Sequence, residues 1–171
     1  MSPRPTGRRR RADLGRLLAG LISAALAACT AEAGQPIAYN HQVHVKGLEI
    51  ACEYCHESSR HGEIAGLPGL AVCAGCHQDA NGTSPGERAV VEAVRAGKEI
   101  PWMRIYELPR HVYFTHRRHV ELARIACERC HGEMGAQSTP PRRPLVALTM
   151  AACLQCHRER GASQDCDACH R

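Results

Sequence analysis

The sequence predicts a mainly α fold of short helices and much irregular loop, without a substantial sheet, whose interior side chains alone cannot fill. Three observations lead there. First, ten of the eleven cysteines fall in five copies of Cys-x-x-Cys-His. Second, aromatic residues make up only 4% of 171, with one Phe and one Trp, which is thin for an ordinary core. Third, 15 glycines and 10 prolines interrupt the chain, leaving room only for short helices beside the motifs. The length allows one compact domain or two small ones.

The five motifs run from Cys52 to His56, Cys73 to His77, Cys127 to His131, Cys153 to His157 and Cys166 to His170. Cys-x-x-Cys-His is the attachment signature of c-type haem. The thiols of Cys52, Cys55, Cys73, Cys76, Cys127, Cys130, Cys153, Cys156, Cys166 and Cys169 would add to haem vinyl groups as thioethers. His56, His77, His131, His157 and His170 would then bind iron from beneath each ring. Zinc sites use paired Cys-x-x-Cys but need no histidine directly after the second cysteine every time. A thioredoxin-like redox pair needs one such motif in a βαβ setting. A disulfide scaffold gives the histidines no purpose. The sequence therefore predicts five covalently bound haem c groups that form most of the core, and an apoprotein that is largely unfolded.

The N-terminus reads as an address. Arg8 to Arg11 precede an apolar run, Leu17 to Ala28, too short to span a bilayer comfortably. Leu26-Ala27-Ala28-Cys29 is similar to a bacterial lipobox, which makes residues 1–28 a lipoprotein-type signal peptide, Cys29 the lipidated residue and 29–35 a tether. The expected location is outside the cytoplasmic membrane, on the periplasmic side and lipid-anchored. Arg4, Arg8, Arg9, Arg10, Arg11 and Arg16 against Asp13 account for the whole formal charge of +5. The rest of the chain is balanced, which argues against nucleic acid as a partner.

Beyond the address lies a repeat. Tyr39-Asn40-His41-Gln42-Val43-His44 precedes Cys52 as Phe114-Thr115-His116-Arg117-Arg118-His119 precedes Cys127. Residues 36–80 would form a dihaem module and 111–171 a trihaem module. Residues 81–110 form the connector. Within it Glu87 to Ala96 predicts a short helix with Val90, Val91 and Val94 on its packed face, stopped by Gly97. Pro101 to Pro109 reads as extended. Pro140, Pro141 and Pro144 mark a second loop. Six histidines lie outside the haem motifs: His41, His44, His61, His111, His116 and His119. Three residues apart on a helical turn, the members of each His-x-x-His share a face, and each can supply the sixth ligand of a different iron. Catalysis of the reductase kind needs an open iron position. Five intact motifs with further histidines argue instead for an electron carrier without a small-molecule substrate.

This pattern resembles the class III multihaem cytochromes, including the small c7 cytochromes, and implies a haem-cored c7-like fold. The resemblance implies that His44 serves the first haem and His41 the second, and that His119 serves the third and His116 the fourth. The fifth haem has no histidine at the corresponding place, and Met150 stands there instead, with His61, His111 and Met134 as alternatives. A narrower resemblance is to the pentahaem cytochrome subunit of alternative complex III, a quinol-oxidising respiratory assembly. It rests on Gly47 to His56, Ala65-Gly66-Leu67-Pro68, Ile100-Pro101-Trp102-Met103-Arg104-Ile105, Leu108-Pro109 with Val112-Tyr113-Phe114, and Leu148-Thr149-Met150 with Cys153 to Arg158. It implies redox partners of the membrane-bound iron–sulfur and quinol-oxidising kind.

Overall fold

A computed structural model describes residues 34–171, which form one compact unit. The predicted signal peptide, Cys29 and the tether as far as residue 33 lie outside the described residues. Six short α-helices follow in order: α1 (Cys52–Cys55), α2 (Leu70–Ala74), α3 (Pro85–Ala96), α4 (Glu128–His131), α5 (Met150–Glu159) and α6 (Cys166–Cys169). Two π turns, π1 (Gln42–Gly47) and π2 (Arg117–Leu122), precede α1 and α4. Short 3-10 turns lie at Glu57–Ser59 and Met134–Ala136. Among the described residues the β content is one isolated antiparallel bridge, Val112 to His170. Among the described residues the fold is mainly helical with irregular loops and no sheet.

Helix α3 is longer than the expected span by one half-turn at its start. Pro85 occupies the first helical position, where its missing N–H costs nothing. Gly97 ends the helix in the left-handed region at φ 61°, and its N–H and that of Lys98 close onto the last turn. Val90 and Val91 are buried, and Val90 meets Ile37, Leu70 and Ile100. Ala89, Ala93, Val94, Cys73 and Trp102 pack around that cluster. All five buried apolar side chains among the described residues lie between Ile37 and Ile100. No side chain from 101 to 171 is buried.

The two repeats are duplicated down to their backbone. Leu48 N–H bonds Val43 O at 2.9 Å and Ala123 N–H bonds Arg118 O at 3.0 Å, the i to i−5 closure of a π turn. Each turn is followed by a non-glycine residue at positive φ, Glu49 (55°) and Arg124 (52°). The repeats also interlock. Arg117 N–H of π2 bonds Gly62 O at 3.1 Å, and Gln42 N–H of π1 bonds Gln137 O at 3.0 Å. Gly62 and Gln137 occupy the same position after their motifs, so each turn docks on the other repeat's post-motif loop. Arg60 adds a bridge from Glu53 (2.7 Å) to Glu121 (3.4 Å).

Candidate haem sites

Each isolated motif folds into one helical turn. The histidine N–H returns to the first cysteine carbonyl at 2.9 Å for His56, His77 and His131 and at 2.8 Å for His170. His157 lies inside α5 with Cys153 and Cys156. The turn brings both thiols and the following imidazole to one place. None of the ten motif cysteines is in a disulfide.

The aromatic residue ahead of each His-x-x-His clamps its rings. Tyr39 stacks on His44 at 4.6 Å and meets His41 edge-on at 4.7 Å. Phe114 stacks on His119 at 4.6 Å and meets His116 edge-on at 5.0 Å. Main-chain carbonyls then hold several Nδ1 atoms. His44 bonds Asn40 O at 2.8 Å, His119 bonds Thr115 O at 2.9 Å, and His116 bonds Glu63 O at 2.9 Å. His56 bonds Gly66 O at 2.7 Å and His157 bonds Ser163 O at 2.5 Å. An Nδ1–H directed at a carbonyl leaves Nε2 with a lone pair for a metal.

The imidazoles face one another in pairs. His44 faces His77, His116 faces His131, and His119 faces His157, each at 6.2 Å between ring centres. Two imidazoles binding one metal from opposite sides, at about 2.0–2.1 Å, bring their ring centres to about 6.3 Å. The spacing would suit an iron held by both imidazoles of a pair, with a porphyrin completing its ligand set. His111 faces His170 at 5.5 Å, a little closer than that. His41 lies near His56. Burial first, then the neighbouring His56 and His44, lower its pKa to about 4. Burial likewise lowers His131, helped by His116 and His56. Both rings stay neutral at pH 7 and able to donate a lone pair.

These pairings differ from the expected ones. His44 meets the second motif's histidine and not the first's, and His119 meets the fourth's and not the third's. The physical reason is the π turn, wider than an α turn, which sends residues three apart in more divergent directions. Met150 opens α5 with 62% of its surface exposed. The ring beside His170 is that of His111, carried there by the C-terminal residues. Tyr113 N–H bonds Cys169 O at 2.8 Å, Arg171 N–H bonds His111 O at 3.0 Å, and the Arg171 guanidinium lies 4.4 Å over the Tyr113 ring. His61 is exposed and Met134 sits half-buried in its 3-10 turn. The sequence holds one signal for His111, the pairing of an unassigned histidine with a motif that lacks one.

Thiols of different motifs also lie close together. A hydrogen bond between Cys52 and Cys127 raises the first and lowers the second. Burial raises Cys55, with the charge of Cys73 adding to it. Burial raises Cys130, with Cys156 and Cys153 adding, and raises Cys153, with Cys169 adding.

Paired thiols, paired imidazoles and an interior poor in side chains define a multihaem cytochrome of the c type, carrying covalently bound haem c. Comparison with known proteins agrees. Residues 112–171 match the family described as cytochrome c7 and related cytochrome c. Over 98 residues the chain is 41% identical to the multiheme cytochrome c subunit of menaquinone reductase from Nitratidesulfovibrio vulgaris, covering 57% of this chain and 45% of that protein. The match thus spans less than half of the relative's length. Residues 112–171 are similar to the c7 cytochromes, and the shared 98 residues to a multihaem cytochrome c subunit.

Proposed function

We propose that this chain is a pentahaem cytochrome that carries electrons outside the cytoplasmic membrane, as the cytochrome subunit of a quinone-linked membrane complex. The observation that carries the reading is the set of facing imidazoles, His44 with His77, His116 with His131 and His119 with His157, at a spacing that fits iron. On this reading His41 and His56 hold the first haem and His111 and His170 the fifth. Bound haem supplies a one-electron couple. The chain's residues fix ring orientation through Tyr39, Phe114 and the main-chain carbonyls, and keep the rings close. Neighbouring thiols suggest the order in which motifs adjoin: second, first, third, fourth, fifth. No residue is assigned to catalysis.

The relative belongs to a menaquinone reductase, which favours an electron-input role toward quinone-reducing subunits, with iron–sulfur proteins among the partners. The quinol-oxidising direction is the second reading, supported by the Ile100-Pro101-Trp102 and Val112-Tyr113-Phe114 segments. On this reading a lipid on Cys29 tethers the subunit; no helix among the described residues is long and apolar enough to cross a membrane.

Intact-mass analysis of the exported protein tests the core of this reading. A gain of five haems, with a low-spin spectrum indifferent to carbon monoxide, is expected. A bare chain would end it. Gentle membrane extraction followed by pull-down tests the complex. Polytopic and iron–sulfur subunits should come with the protein, whereas recovery as a free monomer would make it a stand-alone shuttle.

A further inference from the structure

His44, His116, His119 and His157 rest Nδ1 on a main-chain carbonyl, but His77 does not. Its Nδ1 is buried and makes no hydrogen bond. The polar atom that approaches it is Oε1 of Glu87, at 4.0 Å. This carboxylate is held in place. Asn81 N–H donates to Oε1 at 2.7 Å. The other oxygen fills the space beside Gly82, where an added Cβ would come within 2.7 Å of it. Glu87 also lies in the first turn of α3, where the helix dipole favours an anion, and its side chain is only 15% exposed. The helix is itself anchored through Val90 and Val91.

We propose that Glu87 is a positioning residue for His77, and that its carboxylate makes this imidazole the strongest donor among the motif histidines of the first repeat. The inference rests on the reading of His77 as an iron ligand. An imidazole whose far N–H is directed at a carboxylate gains basicity at Nε2. A stronger donor stabilises the more highly charged iron and lowers the haem's potential. A neutral carbonyl, such as Gly66 O behind His56, acts the same way but more weakly. At 4.0 Å the contact exceeds a hydrogen bond. The charge acts through a partly desolvated space, and one water or a small rotation closes the gap. The second haem therefore lies below the first in potential, a downhill step from the outer motif toward the junction of the repeats.

The test uses the full haem-loaded chain. Glu87→Gln keeps an oxygen for Asn81 N–H and removes the charge. Haem content by mass and the five midpoint potentials are measured, with the second haem's wave identified as the one missing from Cys73→Ala/Cys76→Ala. In Glu87→Gln that wave alone should move positive, with a change in its low-spin electron paramagnetic resonance signal. Glu87→Asp, which keeps a charge one methylene further off, should fall between. Glu92→Gln, on an exposed position of the same helix, should move nothing. Five retained haems with five unmoved potentials would overturn the role of Glu87 while leaving the ligand reading intact, and so would a shift shared by all five. A parent protein lacking haem at Cys73 and Cys76 would overturn both.

Discussion

The first repeat and its connector share their backbone plan with the second repeat, yet the two regions are built on different interiors. Residues 34–100 contain Ile37, Leu70, Val90, Val91 and Ile100, all buried by protein. Residues 111–171 bury none. Both halves have the same π turn, the same aromatic clamp and the same positive-φ residue after it. What differs is α3, a twelve-residue helix with an apolar face that the second repeat lacks. Geometry around a haem can thus be copied without copying a core, because the attached ring supplies the apolar area that side chains supply elsewhere. On the proposed reading, the second repeat should be the more dependent on its haems.

The largest effect should come from removing haems one region at a time. Cys166→Ala/Cys169→Ala should lose one haem and release the C-terminal residues from His111 and Tyr113, seen as loss of amide protection from residue 111 to the end. Cys73→Ala/Cys76→Ala should also lose one haem, but α3 should keep its protection. Equal loss in both would erase the contrast between the regions.

Next is the fifth haem's ligand. His111→Ala should convert one haem of five to a high-spin form that binds carbon monoxide, whereas Met150→Leu should leave the spectrum as it was. The reverse outcome would return the ligand to Met150 and detach the C-terminal pairing from iron chemistry.

A smaller effect is expected in the protein core. Val91→Ala should lower stability by about 2 kcal/mol through lost burial and an incompletely filled space. The absorption spectrum should not change. Denaturant titration of the holoprotein measures it.

The smallest effect tests where the regions are alike. Glu49→Gly and Arg124→Gly each relieve a left-handed backbone, at the cost of extra freedom in the unfolded chain, for a net gain of up to about 1 kcal/mol. The two gains should match, and a large difference would show that the shared backbone carries unequal strain.

Much of the candidate site was legible because the motif turn is local. The five-residue motif folds as a single turn wherever it stands, so thiols and proximal histidines could be named from spacing. The duplicated His-x-x-His could be named the same way, and so could α3, whose Pro85 and Gly97 mark its ends. The assignment of His44 and His119 to the nearest motifs was not legible. It was carried over from the resemblance to the c7 cytochromes, whereas here the π turns dock against Gly62 and Gln137 of the opposite repeat. Met150 stood at the right place in the sequence but on an exposed face. His111 was distant in sequence and was brought to His170 by the bridge at Val112.

Sequence alone determined where the five Cys-x-x-Cys-His turns stand, which imidazole each turn sets beside its two thiols, and that side chains could not fill the interior, since these depend on spacing within a few residues and on composition. Tertiary structure decided which distal imidazole completes each pair, how the repeats interlock, and that a glutamate stands behind His77. Those contacts join residues far apart in the chain, and backbone hydrogen bonds between repeats, which no local spacing encodes, bring them together.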